Sequence, residues 1–138
     1  MKLLLSLILI ATVVLHSQAK TREEMKAKWH ELAKECQKTT GASDDELEKI
    51  LSHAKPETHE GKCMISCAFE TMGVVKDGKI NKDGLEAWQK ESPIPDDVIQ
   101  MAITDCEDVT DDDHCEAAAK IGHCFKDTLK KAGLFPDD

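Results

Sequence analysis

Apolar residues recur along this chain at helical spacing in six blocks, each closed by a turn or a helix-breaking residue. In the first block, Thr21 to Thr39, Met25, Trp29, Leu32, Ala33 and Cys36 share one face, and Gly41 stops the helix. Ser43-Asp44-Asp45-Glu46 then reads as a capping box, in which the serine oxygen takes an orphan N–H of the first turn and the glutamate reaches back. The helix it opens carries Leu47, Ile50, Leu51 and Ala54 and ends at Pro56. A third helix, from about Glu60 to Thr71 or Met72 with Gly73 as its cap, has a different pattern. Cys63, Met64, Ile65, Cys67, Ala68, Phe69 and Met72 make it apolar almost all round, as expected of a central helix touched on several sides.

Val74 and Val75 follow, then a turn at Asp77-Gly78. A short fourth helix, about Lys82 to Lys90, buries Leu85 and Trp88. Pro93 and Pro95 separate it from a fifth, where Pro95 suits the first turn and Asp96 and Asp97 favour its positive end. Val98, Ile99, Ala102, Cys106 and Val109 form the apolar face. Thr110-Asp111-Asp112-Asp113 caps a sixth helix with Cys115, Ala118, Ile121, Gly122, Phe125 and Leu129 on its buried side. Gly133 ends it, leaving the apolar tail Leu134-Phe135-Pro136. No alternating run is long enough for a strand, and there is no repeat or linker. The expected fold is all-α, one domain of six helices.

The first residues do not belong to that pattern. Met1-Lys2 precedes an apolar run from Leu3 to Leu15, too short to span a bilayer core, which needs about 20 residues. A basic start, a short apolar run and the small-residue exit Ser17-Gln18-Ala19 make residues 1–19 a secretory signal peptide, with the domain at residues 20–138. The expectation is a secreted, extracellular protein with no membrane insertion. Without the leader, 17 basic residues face 27 acidic ones, a balance that excludes a nucleic-acid partner and suits solubility. The only asparagine, Asn81, is followed by Lys82-Asp83, so there is no N-glycosylation acceptor.

All six cysteines lie beyond the leader: Cys36, Cys63, Cys67, Cys106, Cys115 and Cys124. An even count in an oxidising compartment implies three disulfides, for which 15 pairings exist. Cys63 and Cys67, four apart on one helix, point the same way and should bridge to different neighbours. The rival for these sulfurs is zinc, with His59, His114 and His123 nearby; secretion favours oxidised cysteine, so no metal is expected. Asp77 to Gly84 resembles a calcium loop only superficially. If Gly84 is the loop glycine, Lys79 and Lys90 fall where the loop needs an acid and a bidentate glutamate.

No nucleophile elbow, zincin motif or phosphate loop occurs, and the cysteines are committed to disulfides, so no enzyme and no cofactor are expected. The acids from Asp105 to Asp113 read as helix-start residues and the five remaining histidines as scattered surface groups. The apolar central helix, two tryptophans and absence of tyrosine would suit a ligand pocket. They would equally suit a filled core, and periodicity does not separate the two.

The cysteine spacing bears on that choice. Gaps of 26, 3, 38, 8 and 8 residues resemble the six-cysteine insect odorant-binding proteins (the PBP/GOBP type), the short second gap and eight-residue last gap above all. Lys62-Cys63-Met64-Ile65-Ser66-Cys67 and Gly73-Val74-Val75-Lys76-Asp77-Gly78-Lys79-Ile80 look like that family's third helix and following loop. The resemblance implies a disulfide-stapled six-helix domain around an internal apolar cavity, with Cys36–Cys67, Cys63–Cys115 and Cys106–Cys124 paired. It also implies a carrier of small hydrophobic molecules such as odorants or pheromones, delivering them to a chemosensory receptor. The lining it implies is Phe69, Met72, Val74, Ile80, Leu85, Trp88, Phe125 and Phe135. Phe69 and Val74 stand where alcohol-binding relatives carry a hydroxyl, which implies a cavity poor in polar handles. The 14 residues after Cys124 are too few for the extra tail helix of moth pheromone-binding members. The alternative is a secreted interaction or defence protein that keeps the scaffold and fills its interior.

Overall fold

The computed structural model describes residues 22–135; the expected leader, and Pro136 of the tail, lie outside them. In these residues six helices run in the order α1 (Arg22–Thr40), α2 (Asp44–Leu51), α3 (His59–Thr71), α4 (Lys82–Gln89), α5 (Asp96–Cys106) and α6 (His114–Lys131). A two-residue antiparallel ladder, β1 (Val75–Lys76) with β2 (Lys79–Ile80), sits between α3 and α4 and pairs Val75 with Ile80 and Lys76 with Lys79. Its turn places Asp77 and Gly78 at φ 51° and 71°. Two successive left-handed residues match the twist of the strands they join, the geometry that Asp-Gly favours. The all-α class therefore holds, with this ladder as a small addition that no alternating run announces.

Side-chain caps fix the starts of three helices. Ser43 accepts from the Glu46 backbone N–H, Thr58 from Gly61, and Asp113 from Cys115 and Glu116. Glu46 does not complete a capping box. Its side chain turns inward, is 2% exposed, and accepts from the Glu57 backbone N–H at 3.2 Å and from Lys49 Nζ at 3.3 Å. The buried carboxylate so anchors the chain entering α3 to the start of α2, and its burial is tolerable because its oxygens are partnered.

Helix α2 stops at Leu51 rather than at Pro56, because His53 turns left-handed at φ 61° and the Ala54 N–H bonds the Lys49 carbonyl. Pro95 is the N-cap of α5 rather than a residue of its first turn, and α5 ends at Cys106, leaving Val109 in the connection to α6. Gly84, which looked like a calcium-loop residue, has a packing role. A Cβ there would collide with the Gly73 carbonyl oxygen, so only glycine lets α4 lie this close to the end of α3.

Two apolar clusters form the core. One joins α1, α2 and α3 through Ala33, Cys36, Ala42, Ile50, Met64 and Ala68. The other gathers Val74, Val75, Leu85, Ile99, Ile103 and Ile121 from the ladder, α4, α5 and α6. Helix α3 separates them and packs extensively against both α1 and α6, which is why nearly every face of it is apolar. Three disulfides fix this arrangement: Cys36–Cys67 ties α1 to α3, Cys63–Cys115 ties α3 to α6, and Cys106–Cys124 ties α5 to α6. Helices α2 and α4 carry no cysteine.

Candidate ligand-binding site

Helices α1, α3, α4 and α6 do not close on one another completely. Between them lies a chamber of about 1460 Å³, open to solvent on one side. This exceeds the roughly 300–1,000 Å³ common for small-molecule sites. Its inner surface is built from Trp29 and Leu32 of α1, Ile65, Phe69 and Met72 from α3 and its cap, Trp88 of α4, and Gly122, Phe125 and Leu129 of α6. Deeper in, a second chamber of about 80 Å³ lies among Val74, Leu85, Ile94, Ile99 and Ala102. Phe69, Met72, Trp88, Ile94, Phe125 and Leu129 line both and form the partition between them. The Phe69 and Phe125 rings stand in that partition with centroids 6.3 Å apart and planes tilted by 51°.

Of the eight residues named from the resemblance, Phe69, Met72, Trp88 and Phe125 line both chambers. Phe135 lines the outer one only, and Val74 and Leu85 the inner one only. Ile80 lines neither; it faces its ladder partner Val75 and packs against the second core cluster. Sequence reasoning missed the α1 contribution from Met25, Trp29 and Leu32, and also Ile65, Ile94 and Leu134. Trp29 and Leu32 were already on an apolar face, but that signal marks burial without saying whether the neighbour is protein or empty space.

The mouth is polar. His53, in the left-handed turn after α2, sets its ring edge-on to Phe135 with centroids 5.2 Å apart, and its carbonyl accepts from Lys126 Nζ of α6 at 2.9 Å. The tail is thereby held to the α2–α3 connection and to α6 at the rim. Crowding of the ring lowers the His53 pKa below its ordinary 6.5, and the positive charges of Lys126, His30 and Lys26 lower it further. Because the folded value is the lower one, the folded state favours neutral imidazole. That contribution is complete above pH 6.5 and is lost as pH falls through the lowered value. The protection factors of the Leu134 and Phe135 amides, exchange rates taken relative to their intrinsic pH dependence, will therefore fall between about pH 7.5 and about pH 5, and His53→Asn, which keeps the left-handed turn, will flatten the response. Equal protection of the tail across that range in the parent protein would refute the coupling.

Among the described residues one group of histidine, cysteine or acid side chains converges as metal ligands would: His59, Cys63 and Cys115, within 4.8 Å of one another. Both sulfurs are joined in a disulfide, so neither is a thiolate donor. No described helix is long and apolar enough to cross a membrane.

This cavity and this disulfide framework define a class. Residues 18–128 match the model of the PBP/GOBP family, and the chain belongs to that family. General odorant-binding protein 19d of Drosophila melanogaster is 34% identical over 110 residues, 75% of this chain and 73% of its own. Among solved structures, odorant-binding protein dmelOBP28a from Drosophila melanogaster superposes with a TM-score of 0.70 at 29% identity, covering 83% of this chain and all of its own. The fatty acid binding protein OBP56a from the oral disk of the blowfly Phormia regina superposes with a TM-score of 0.67 at 30% identity, over 81% of this chain and 97% of its own.

Proposed function

We propose that this protein is a secreted, non-catalytic carrier that takes small hydrophobic molecules such as odorants or pheromones into its interior and conveys them toward a chemosensory receptor. The observation that carries the reading is the two-chambered apolar cavity at the centre of the fold, partitioned by Phe69, Met72, Trp88 and Phe125. A ligand that fills it removes its own apolar surface and that of the walls from water, worth about 25 cal/mol per Å² before the entropic costs of association. Met72 adds an adaptable wall, since an unbranched thioether fits several shapes. Membership of an odorant-binding family supports the carrier role. The leader read at residues 1–19 and three disulfides support secretion.

The test is displacement of N-phenyl-1-naphthylamine, a neutral fluorescent probe, from oxidised protein purified from a secreting host. The expected result is saturable one-to-one binding in the micromolar range. Trp88→Ala and Phe125→Ala should each weaken it about five- to twenty-fold, the loss of one to two kcal/mol of buried ring surface. Absence of binding by fully oxidised protein would instead favour a secreted interaction or defence protein whose interior is closed in solution.

A further inference from the structure

Away from both chambers, the Cys63–Cys115 disulfide has neighbours that the other two lack. His59, Cys63 and Cys115 bring a ring nitrogen and two sulfurs within 4.8 Å of one another, and among the described residues this is the only disulfide on which a histidine so converges. His59 Nε2 stands 3.5 Å from Cys63 Sγ, and its Nδ1 stands 3.8 Å from one carboxylate oxygen of Asp113. The other oxygen of Asp113 accepts from the Cys115 and Glu116 backbone N–H groups, so the acid is fixed by the start of α6. Sulfur, imidazole and an anchored carboxylate, in that order, form the arrangement by which a proton is moved to or from a sulfur. Exposure singles out the same bond. Cys36 and Cys106 are 1% and 0% exposed, so each of the other disulfides has one half closed to solvent, whereas Cys63 and Cys115 are both partly exposed. None of His59, Cys63, Asp113 and Cys115 lines either chamber.

We infer that Cys63–Cys115 is a site of reversible thiol–disulfide exchange that takes low-molecular-weight thiols, with His59 as its catalytic residue. The thiolate of the incoming thiol attacks Cys115 Sγ and forms a mixed disulfide there. The Cys63–Cys115 bond breaks, its electron pair leaves on Cys63 Sγ, and that sulfur takes a proton from His59 Nε2. In the reverse step His59 removes the proton, the Cys63 thiolate attacks Cys115 Sγ, and the thiol is expelled. One disulfide is exchanged for another with no net oxidation, and the proton of the thiol ends on Cys63. The open state keeps other ties between the same helices. Lys62 and Glu116, each next in sequence to one of these cysteines, form an ion pair at 2.7 Å, and α3 and α6 pack extensively. The bond closes the longest loop of the three, which favours its re-formation at equilibrium, whereas exposure and His59 govern how fast it opens.

The test treats oxidised protein from a secreting host with 2-mercaptoethanol, a neutral monothiol, quenches samples with iodoacetamide at intervals and maps the cysteines by mass spectrometry. Cys63 should become alkylated and Cys115 should carry the mercaptoethanol adduct at least about tenfold faster than either Cys36–Cys67 or Cys106–Cys124 opens. Removal of the thiol should restore the Cys63–Cys115 bond. His59→Gln, at an exposed position where Thr58 still caps α3, should slow the opening by about fivefold or more and leave the other two bonds at their parent rates. Circular dichroism checks that the helices of the variant persist, and the order of opening and the position of the adduct are read on the parent protein alone. Equal or earlier opening of another disulfide, an adduct on Cys63, an adduct that persists without thiol, or a rate that His59→Gln leaves unaltered would overturn the assignment. The carrier reading is tested separately, since probe binding is measured on fully oxidised protein.

Discussion

Replacing Cys63 and Cys115 together by alanine will lower the thermal midpoint of the protein by about 15 °C or more. The bond closes a segment with a sequence separation of 52, against 31 for Cys36–Cys67 and 18 for Cys106–Cys124. On the chain-entropy account, each cross-link removes conformations from the unfolded chain in proportion to the logarithm of its loop. That gives about 4 kcal/mol for the longest loop and about 3 kcal/mol for the shortest. For a domain of this size each kcal/mol moves the midpoint by about 4–8 °C, or somewhat less as chain length grows. Differential scanning calorimetry on the three double-alanine proteins should rank them by loop length. If removal of Cys106–Cys124 costs as much as removal of Cys63–Cys115, the unfolded-chain explanation fails and the bonds act mainly through native packing.

The second large effect separates core from cavity. Ile121 of α6 is fully buried among Val74, Val75, Leu85, Ile99 and Ile103, so Ile121→Ala should cost about 2–5 kcal/mol in urea unfolding, the sum of lost transfer energy and a new void. Leu129, two turns along the same helix, lines both chambers and already borders empty space. Leu129→Ala adds little new void and should cost only about 1 kcal/mol, while weakening probe binding several-fold. Ile121→Ala should retain probe binding wherever it remains folded. The opposite ranking, with Leu129 the more costly truncation, would mean that the chambers are collapsed in solution and that Leu129 is ordinary core.

That contrast marks the limit of what periodicity conveys. Helical spacing located all six helices, because burial of one face against any apolar neighbour leaves the same trace in the chain. It placed Ile121, Phe125 and Leu129 on one side of α6 without distinguishing the packed residue from the two that border the chambers. Local chemistry was legible where a single residue decides the outcome. Gly41, Gly73 and Gly133 all stand in the left-handed conformation where helices end, and Ser43 caps α2. It misled where tertiary partners compete. Glu46 leaves its capping-box role for a buried site prepared by Glu57 and Lys49, and His53 rather than Pro56 decides where the α2 backbone turns. The polar mouth was the least legible feature. Lys26, His30, His53 and Lys126 are separated by up to a hundred residues of sequence and read individually as surface charge.

The distribution of covalent ties has a consequence for breadth of recognition. Every disulfide ends on α3 or α6, so these two helices are the covalently braced centre of the molecule. Helix α4, eight residues long and bound to that centre only by noncovalent contacts, supplies Leu85 and Trp88 to the wall of the inner chamber. With α2, which borders the outer chamber, it is one of two helices that no disulfide braces. If the cavity carries guests as proposed, α4 is the wall of the inner chamber that no covalent tie prevents from adjusting to them.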